Sequence, residues 1–155
     1  MRVLAAALFA CWVICSEATL SAQSLSEIVS THSQAIAKSS RKTIQPAIDA
    51  LVASKLPNVE FMLVQWRAKA LWLNKSTNAI IAVQDKRMID LDTQSDLGLF
   101  EKAGFKQIKP NSGVRNLISG ALVAFQLNTP DIAMRKAALA SIRRNEDPAY
   151  LPLLK

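Results

Sequence analysis

Between Lys109 and Leu154 the chain offers three helix starts in close succession, which confines this part to short antiparallel helices that must cover one another. The first is Asn111-Ser112, either of which can cap a helix with its side-chain oxygen. Val114, Leu117, Ile118, Ala121, Leu122 and Phe125 follow at helical period. The second is Thr129-Pro130-Asp131: Thr129 can accept an orphan N–H, Pro130 has its φ preset, and Asp131 suits the positive end of the helix dipole. Asp147-Pro148 repeats the device. Each helix carries one apolar face, so the region predicts a stacked scaffold, and no nucleophile with a neighbouring base accompanies any of the three starts.

The N-terminal part follows the same logic. Ser24-Leu25-Ser26-Glu27 is a capping box, in which Ser24 and Glu27 can satisfy each other's backbone donors. Leu25, Ile28, Val29, His32 and Ile36 share one stripe, predicting a helix to about Lys38. From Arg41 to Trp66 the stripes Ile44, Ala47, Ile48, Leu51 and Val59, Met62, Leu63, Trp66 flank a loop over Ser54–Pro57, which is a helical hairpin. Laid on the C-terminal stretch, this hairpin sets Pro57 on Pro148, Leu51 on Ile142, Ile48 on Leu139 and Leu63 on Leu154. The coincidence predicts two copies of one helix-pair unit, each with a face that only a neighbour can cover.

The helical rhythm breaks between the copies. Leu71-Trp72-Leu73, a polar turn over Asn74–Asn78, and Ala79–Val83 read as strand, turn, strand. Arg87–Asp92 alternates and adds a third strand, ending in the turn-rich stretch Thr93–Gly98. The expected architecture is mainly α: antiparallel helix-pair repeats with a small antiparallel β-meander inserted at about 70–98. The meander's edges need cover from helices or a partner.

Residues 1–22 read as a secretion signal. Arg2 supplies the positive start, Val3–Cys15 is an unbroken apolar run, and polar residues begin at Ser16. The run falls short of the roughly 20 residues a membrane span needs. Cleavage is expected after Ala22, with Ala18 as the alternative. Both cysteines, Cys11 and Cys15, lie within the signal, so the expected mature chain has no disulfide, thiol nucleophile or thiolate metal site. Losing Arg2 and Glu17 together leaves the net charge at +7. In an exported domain that charge is expected first as a solvated lysine-rich surface, and as a binding patch it would face anionic lipid headgroups or an acidic partner rather than nucleic acid.

Few residues invite chemistry. Asp90, Asp92 and Asp96 cluster, but lack the further oxygen ligands, loop glycine and closing Glu of a calcium loop, so turn and strand-edge polarity is the preferred reading. His32 is the only histidine, so a packed or boundary role is expected rather than a metal site. Lys102, Lys106, Lys109 and Arg115 form the densest basic cluster, around the helix start at Asn111. Solvated loop lysines are the preferred reading, and Lys106, Lys109, Asn111 and Arg115 are the candidate partner or anion contacts. Asp131 and Arg135 stand one helical turn apart as a charge pair. There is no nucleophile elbow, phosphate-binding glycine loop, HExxH or second histidine, so neither catalysis nor a cofactor is expected. A hydrolase using carboxylates would need a pocket where they converge.

The segment Leu71-Trp72 through Ile80-Ile81-Ala82, the turn Asp90-Leu91-Asp92-Thr93, the run into Asn111-Ser112-Gly113-Val114-Arg115, and Pro130-Asp131 with Arg135 and Ala137-Ala138-Leu139 together carry a resemblance. The mature chain is similar to the extracytoplasmic N-terminal region of the permease subunit of urea-type ABC transporters, of the branched-chain amino acid permease type. The resemblance implies a HEAT-like domain over 23–155, truncated at its C-terminal end, since Leu151, Leu153 and Leu154 close the chain without cover. It also implies an accessory role on the periplasmic side of the inner membrane. The implied partners are the membrane permease portion, its partner permease and the periplasmic substrate-binding protein. A stand-alone periplasmic interaction scaffold is the alternative.

Overall fold

The structure, a computed structural model, describes residues 23–144. The expected signal over residues 1–22, both cysteines, the helix start at Asp147-Pro148 and the terminal leucines lie outside the described residues.

Helix α1 (Leu25–Thr31) begins with the expected capping box: the Glu27 N–H donates to Ser24 Oγ and the Ser24 N–H to Glu27 Oε2, each at 3.2 Å. Leu25, Ile28 and Val29 are buried, but the helix stops short of Lys38. The Ser30 and Thr31 hydroxyls both donate to the Glu27 carbonyl, a back-bonding that bends a helix, and His32 leaves helical geometry at φ −103°, ψ 9°. The chain resumes as α2 (Ser33–Lys38), so His32 is a half-buried junction residue.

Helices α3 (Gln45–Ser54) and α4 (Asn58–Arg67) form the expected hairpin. Lys55, at φ 53°, closes α3 in the left-handed conformation. Ile44, Ala47, Leu51, Val59, Met62, Leu63 and Trp66 have no exposed surface. Helix α5 (Ser112–Asn128) is capped by Asn111, whose Oδ1 accepts the Val114 N–H at 2.9 Å, and it buries Val114, Ile118, Ala121 and Leu122 against α3 and α4. Helix α6 (Ile132–Arg144) packs on α5 through a separate small cluster of Val123 and Ala138 edged by Leu127 and Ile142.

Between α4 and α5 lie β1 (Leu71–Asn74), β2 (Ile80–Gln84), β3 (Arg87–Ile89), β4 (Asp96–Leu99) and β5 (Phe105–Gln107). They form one antiparallel sheet in the order β4-β3-β2-β1-β5. The β2–β3 connection is the two-residue turn Asp85-Lys86, with φ 48° and 63°, the left-handed pair that matches the twist of flanking strands. Leu71, Leu73, Ile80, Ala82 and Ile89 point into the same core as α1, α3, α4 and α5. By strand alternation Trp72 takes the opposite face, in register with Ile81. The chain from β4, at one edge, to β5, at the other, brings Phe100 onto that outer face. Its ring lies 4.7 Å from Trp72 and 5.4 Å from Phe105, centroid to centroid.

The expected mainly α, HEAT-like repeat architecture is therefore overturned. The described residues form a mixed α/β domain of six helices and a five-stranded antiparallel sheet. The sheet extends to Gln107, beyond the expected 70–98, and is a full layer rather than an insertion. Its inner face and helices α1–α5 share one core, whereas a repeat stack would bury helix against helix alone. The correction has a local cause: β4 and β5 are only four and three residues long, too short for a period to stand out, and turn-forming or lysine-rich sequence surrounds them.

Candidate functional site

The two edges of the sheet differ in kind. At the β5 edge, Lys106 sits in mid-strand and is exposed, and the exposed Lys102 and Lys109 flank the strand. A lysine in an edge strand resists pairing with another chain, because pairing would bury its charge. At the β4 edge Leu97 and Leu99 are exposed, at 49% and 71%, together with the carboxylate of Asp96. Gly98 between them stands at φ 110°, where an L side chain is strained, and the β3–β4 register shifts at Met88/Ile89. Arg87 and Asp96 form an ion pair beside these leucines.

Of the sequence-predicted contacts, Asn111 is committed to the fold. Its Oδ1 caps α5, and its Nδ2 donates to the Ser39 carbonyl at 3.2 Å. Lys109 is exposed between the buried Ile108 and Pro110, and Arg115 is half-buried in the first turn of α5. Arg41 joins this group from a distant position: its aliphatic stem lies over Gly113, where an added Cβ would come within 2.8 Å of the Arg41 Cδ. No local pattern marks that approach. The arrangement presents cations around a helix start whose capping side chain is already occupied.

The three aspartates each have separate structural work. Asp92 Oδ1 accepts the Leu25 N–H at 2.9 Å and Oδ2 the Ser26 N–H at 3.0 Å, so a carboxylate from the β3–β4 connection caps α1. The Asn58 Nδ2 also donates to the Leu91 and Asp92 carbonyls, tying the start of α4 to this turn. Asp90 accepts from the Thr93 N–H and hydroxyl and from the Asp92 N–H. Among the described residues no group of three or more His, Cys, Asp or Glu side chains is placed to hold a metal ion. The expected Asp131–Arg135 pair is replaced by two separate caps. Asp131 Oδ1 accepts the Ala133 N–H at 2.7 Å, and the Arg135 Nη1 donates to the Thr129 and Pro130 carbonyls.

The Thr93 backbone N–H holds the Asp90 carboxyl below its ordinary value of 3.8, with the Thr93 hydroxyl and Asp92 N–H assisting against partial desolvation. A lowered folded-state pKa contributes stability above the unfolded value and loses it as pH falls through the folded one. The wild-type chain is therefore expected to lose more stability than Asp90→Asn when acidified from neutral pH to below 3.8. Urea unfolding midpoints at the two pH values check this, and equal losses would remove the turn from the acid response.

A half-open cleft of ≈ 740 Å³ lies between the α3–α4 turn and the end of α5, walled by Val52, Leu56 and Phe125 with Glu60 and Asn128 at its margin. It brings no pair of carboxylates together. Among the described residues no helix is long and apolar enough to cross a membrane. Compared with protein-family models, with curated proteins and with solved structures, the chain has no match.

Proposed function

We propose that this chain is a non-catalytic docking domain on the extracytoplasmic side of a membrane, an accessory part of a urea-type ABC transporter permease subunit. The observation that supports docking is the β4 edge. An antiparallel sheet whose last strand exposes Leu97 and Leu99 invites a partner strand or apolar surface, while the lysine-bearing β5 edge repels one. The aspartates of the β3–β4 region serve to stiffen the support behind β4: Asp90 and Asp92 bind backbone N–H groups of the turn and of α1, and Asp96 pairs with Arg87. The transporter assignment rests on the sequence resemblance at Leu71–Ala82, Asp90–Thr93 and Asn111–Arg115.

The test combines the chain with the cognate substrate-binding protein and with the detergent-solubilised permease portion. Binding to either is expected, and Leu97→Lys/Leu99→Lys is expected to weaken it by about tenfold or more, as loss of two apolar contacts at an interface core does. Absence of binding to both at high micromolar concentration sinks the transporter reading. Binding that survives the double lysine variant moves the contact away from β4.

A further inference from the structure

We infer that one side of α6 rests on an anionic lipid bilayer surface. Ile132, Lys136, Leu139 and Arg143 line up along this side at successive turns, and all four are exposed, Ile132 at 61% and Leu139 at 48%. The helix carries Arg135, Lys136, Arg143 and Arg144 and no acidic residue. Ala138 is its only buried side chain among the described residues, and its contact with α5 is a cluster distinct from the main core. Covering this side would therefore leave the main core undisturbed.

The order of residues selects lipid over a protein groove. A helix that enters a groove presents a continuous apolar seam at i, i+3, i+4 and i+7. Here Lys136 interrupts the seam between Ile132 and Leu139, and Arg143 follows it. A bilayer surface accommodates that alternation, because isolated apolar side chains reach the acyl boundary while basic ones lay their stems along it and extend to phosphate. The charge is complementary as well: the chain is +7 overall, and α6 contributes cations alone. This inference is independent of the β4 docking site, which lies on the sheet.

The test is flotation of the full chain with vesicles of phosphatidylcholine alone and with about one-third phosphatidylglycerol, at about 0.1 M salt. The ratio of the two is the readout, since apolar segments elsewhere in the chain contribute to both. The wild-type chain is expected to favour the anionic vesicles by about twentyfold or more, and Lys136→Gln/Arg143→Gln to lose about that factor, at about fivefold per charge. The control pair Lys75→Gln/Lys86→Gln, both exposed on turns of the sheet, is expected to keep the preference. Equal binding to both vesicles, retention of the preference by the α6 variant, or an equal loss in the control pair overturns the inference. A wild-type chain that stays off both vesicles overturns it too. As a second readout, Leu139→Trp is expected to show fluorescence quenching by brominated anionic lipid beyond that of the wild-type tryptophans. No added quenching places Leu139 away from the acyl boundary and also overturns the inference.

Discussion

Replacing Trp66 with alanine is expected to destabilise the domain by about 3–5 kcal/mol, the usual cost of emptying a large buried aromatic site. Trp66 has no exposed surface and is the largest of the fully buried side chains among the described residues. It belongs to α4, the helix that contacts β1, β2 and α5, so the cavity would open where the sheet and helical layers meet. Neighbours in both layers are fixed by regular hydrogen bonding and can collapse only partly into the space. Among the described residues the indole N–H has no hydrogen-bond partner, which makes phenylalanine an informative comparison. Trp66→Phe also removes volume, but it deletes a buried donor that gains nothing from the fold, so its cost is expected to be less than half that of alanine. Equilibrium urea unfolding followed by far-UV circular dichroism measures both. A loss below about 1 kcal/mol for alanine would place Trp66 outside a packed core.

The second large effect is expected at Asp92, a residue whose exposure gives no hint of it. Asp92→Ala removes both acceptors that hold the first N–H groups of α1, and one of them belongs to Leu25, which is fully buried. It also removes the Oδ1 that lies 3.3 Å from the Asn58 Nδ2. Loss of a charged cap of this kind costs about 2 kcal/mol. The loss should be directional. Amide hydrogen exchange is expected to rise first in α1, and least in α5, whose Asn111 cap is independent of this turn. Asp92→Asn keeps one acceptor oxygen and is expected to cost about half as much as alanine. If alanine leaves exchange in α1 unchanged, the capping bond does not hold that helix in solution.

These two residues also mark the limits of sequence reading. Trp66 was legible: Val59, Met62, Leu63 and Trp66 repeat at helical spacing, and all four are fully buried. The polar character of Asp92 was legible as turn chemistry, but its partners stand 67 and 66 positions away, at Leu25 and Ser26. No window of neighbouring residues contains both ends of that contact. Among the candidate contacts, the sequence marked the cap at Asn111 and the exposed cations at Lys106 and Lys109. It did not mark Arg41, brought beside Gly113 by the fold, or the leucines of β4, of which Leu97 lies in a stretch read as turn and Leu99 just after it.

The amino-acid sequence by itself determined the features that depend on near neighbours: the Ser24–Glu27 capping box, the α3–α4 hairpin, the cap and buried stripe of α5, and the strand-turn-strand of β1 and β2. Each requires only helical or strand period and a side chain within four positions of the backbone group it satisfies. Tertiary structure alone decided that the strands form a complete layer. β4 and β5 lie at opposite edges although they follow one another in the chain, and Phe100 reaches Trp72 and Phe105 by crossing between them. Short strands have little local preference of their own and become ordered when cross-strand hydrogen bonds and burial against another layer outweigh the entropy of fixing them. The edge that each strand occupies, and hence whether leucine or lysine meets an approaching partner, follows from that global balance.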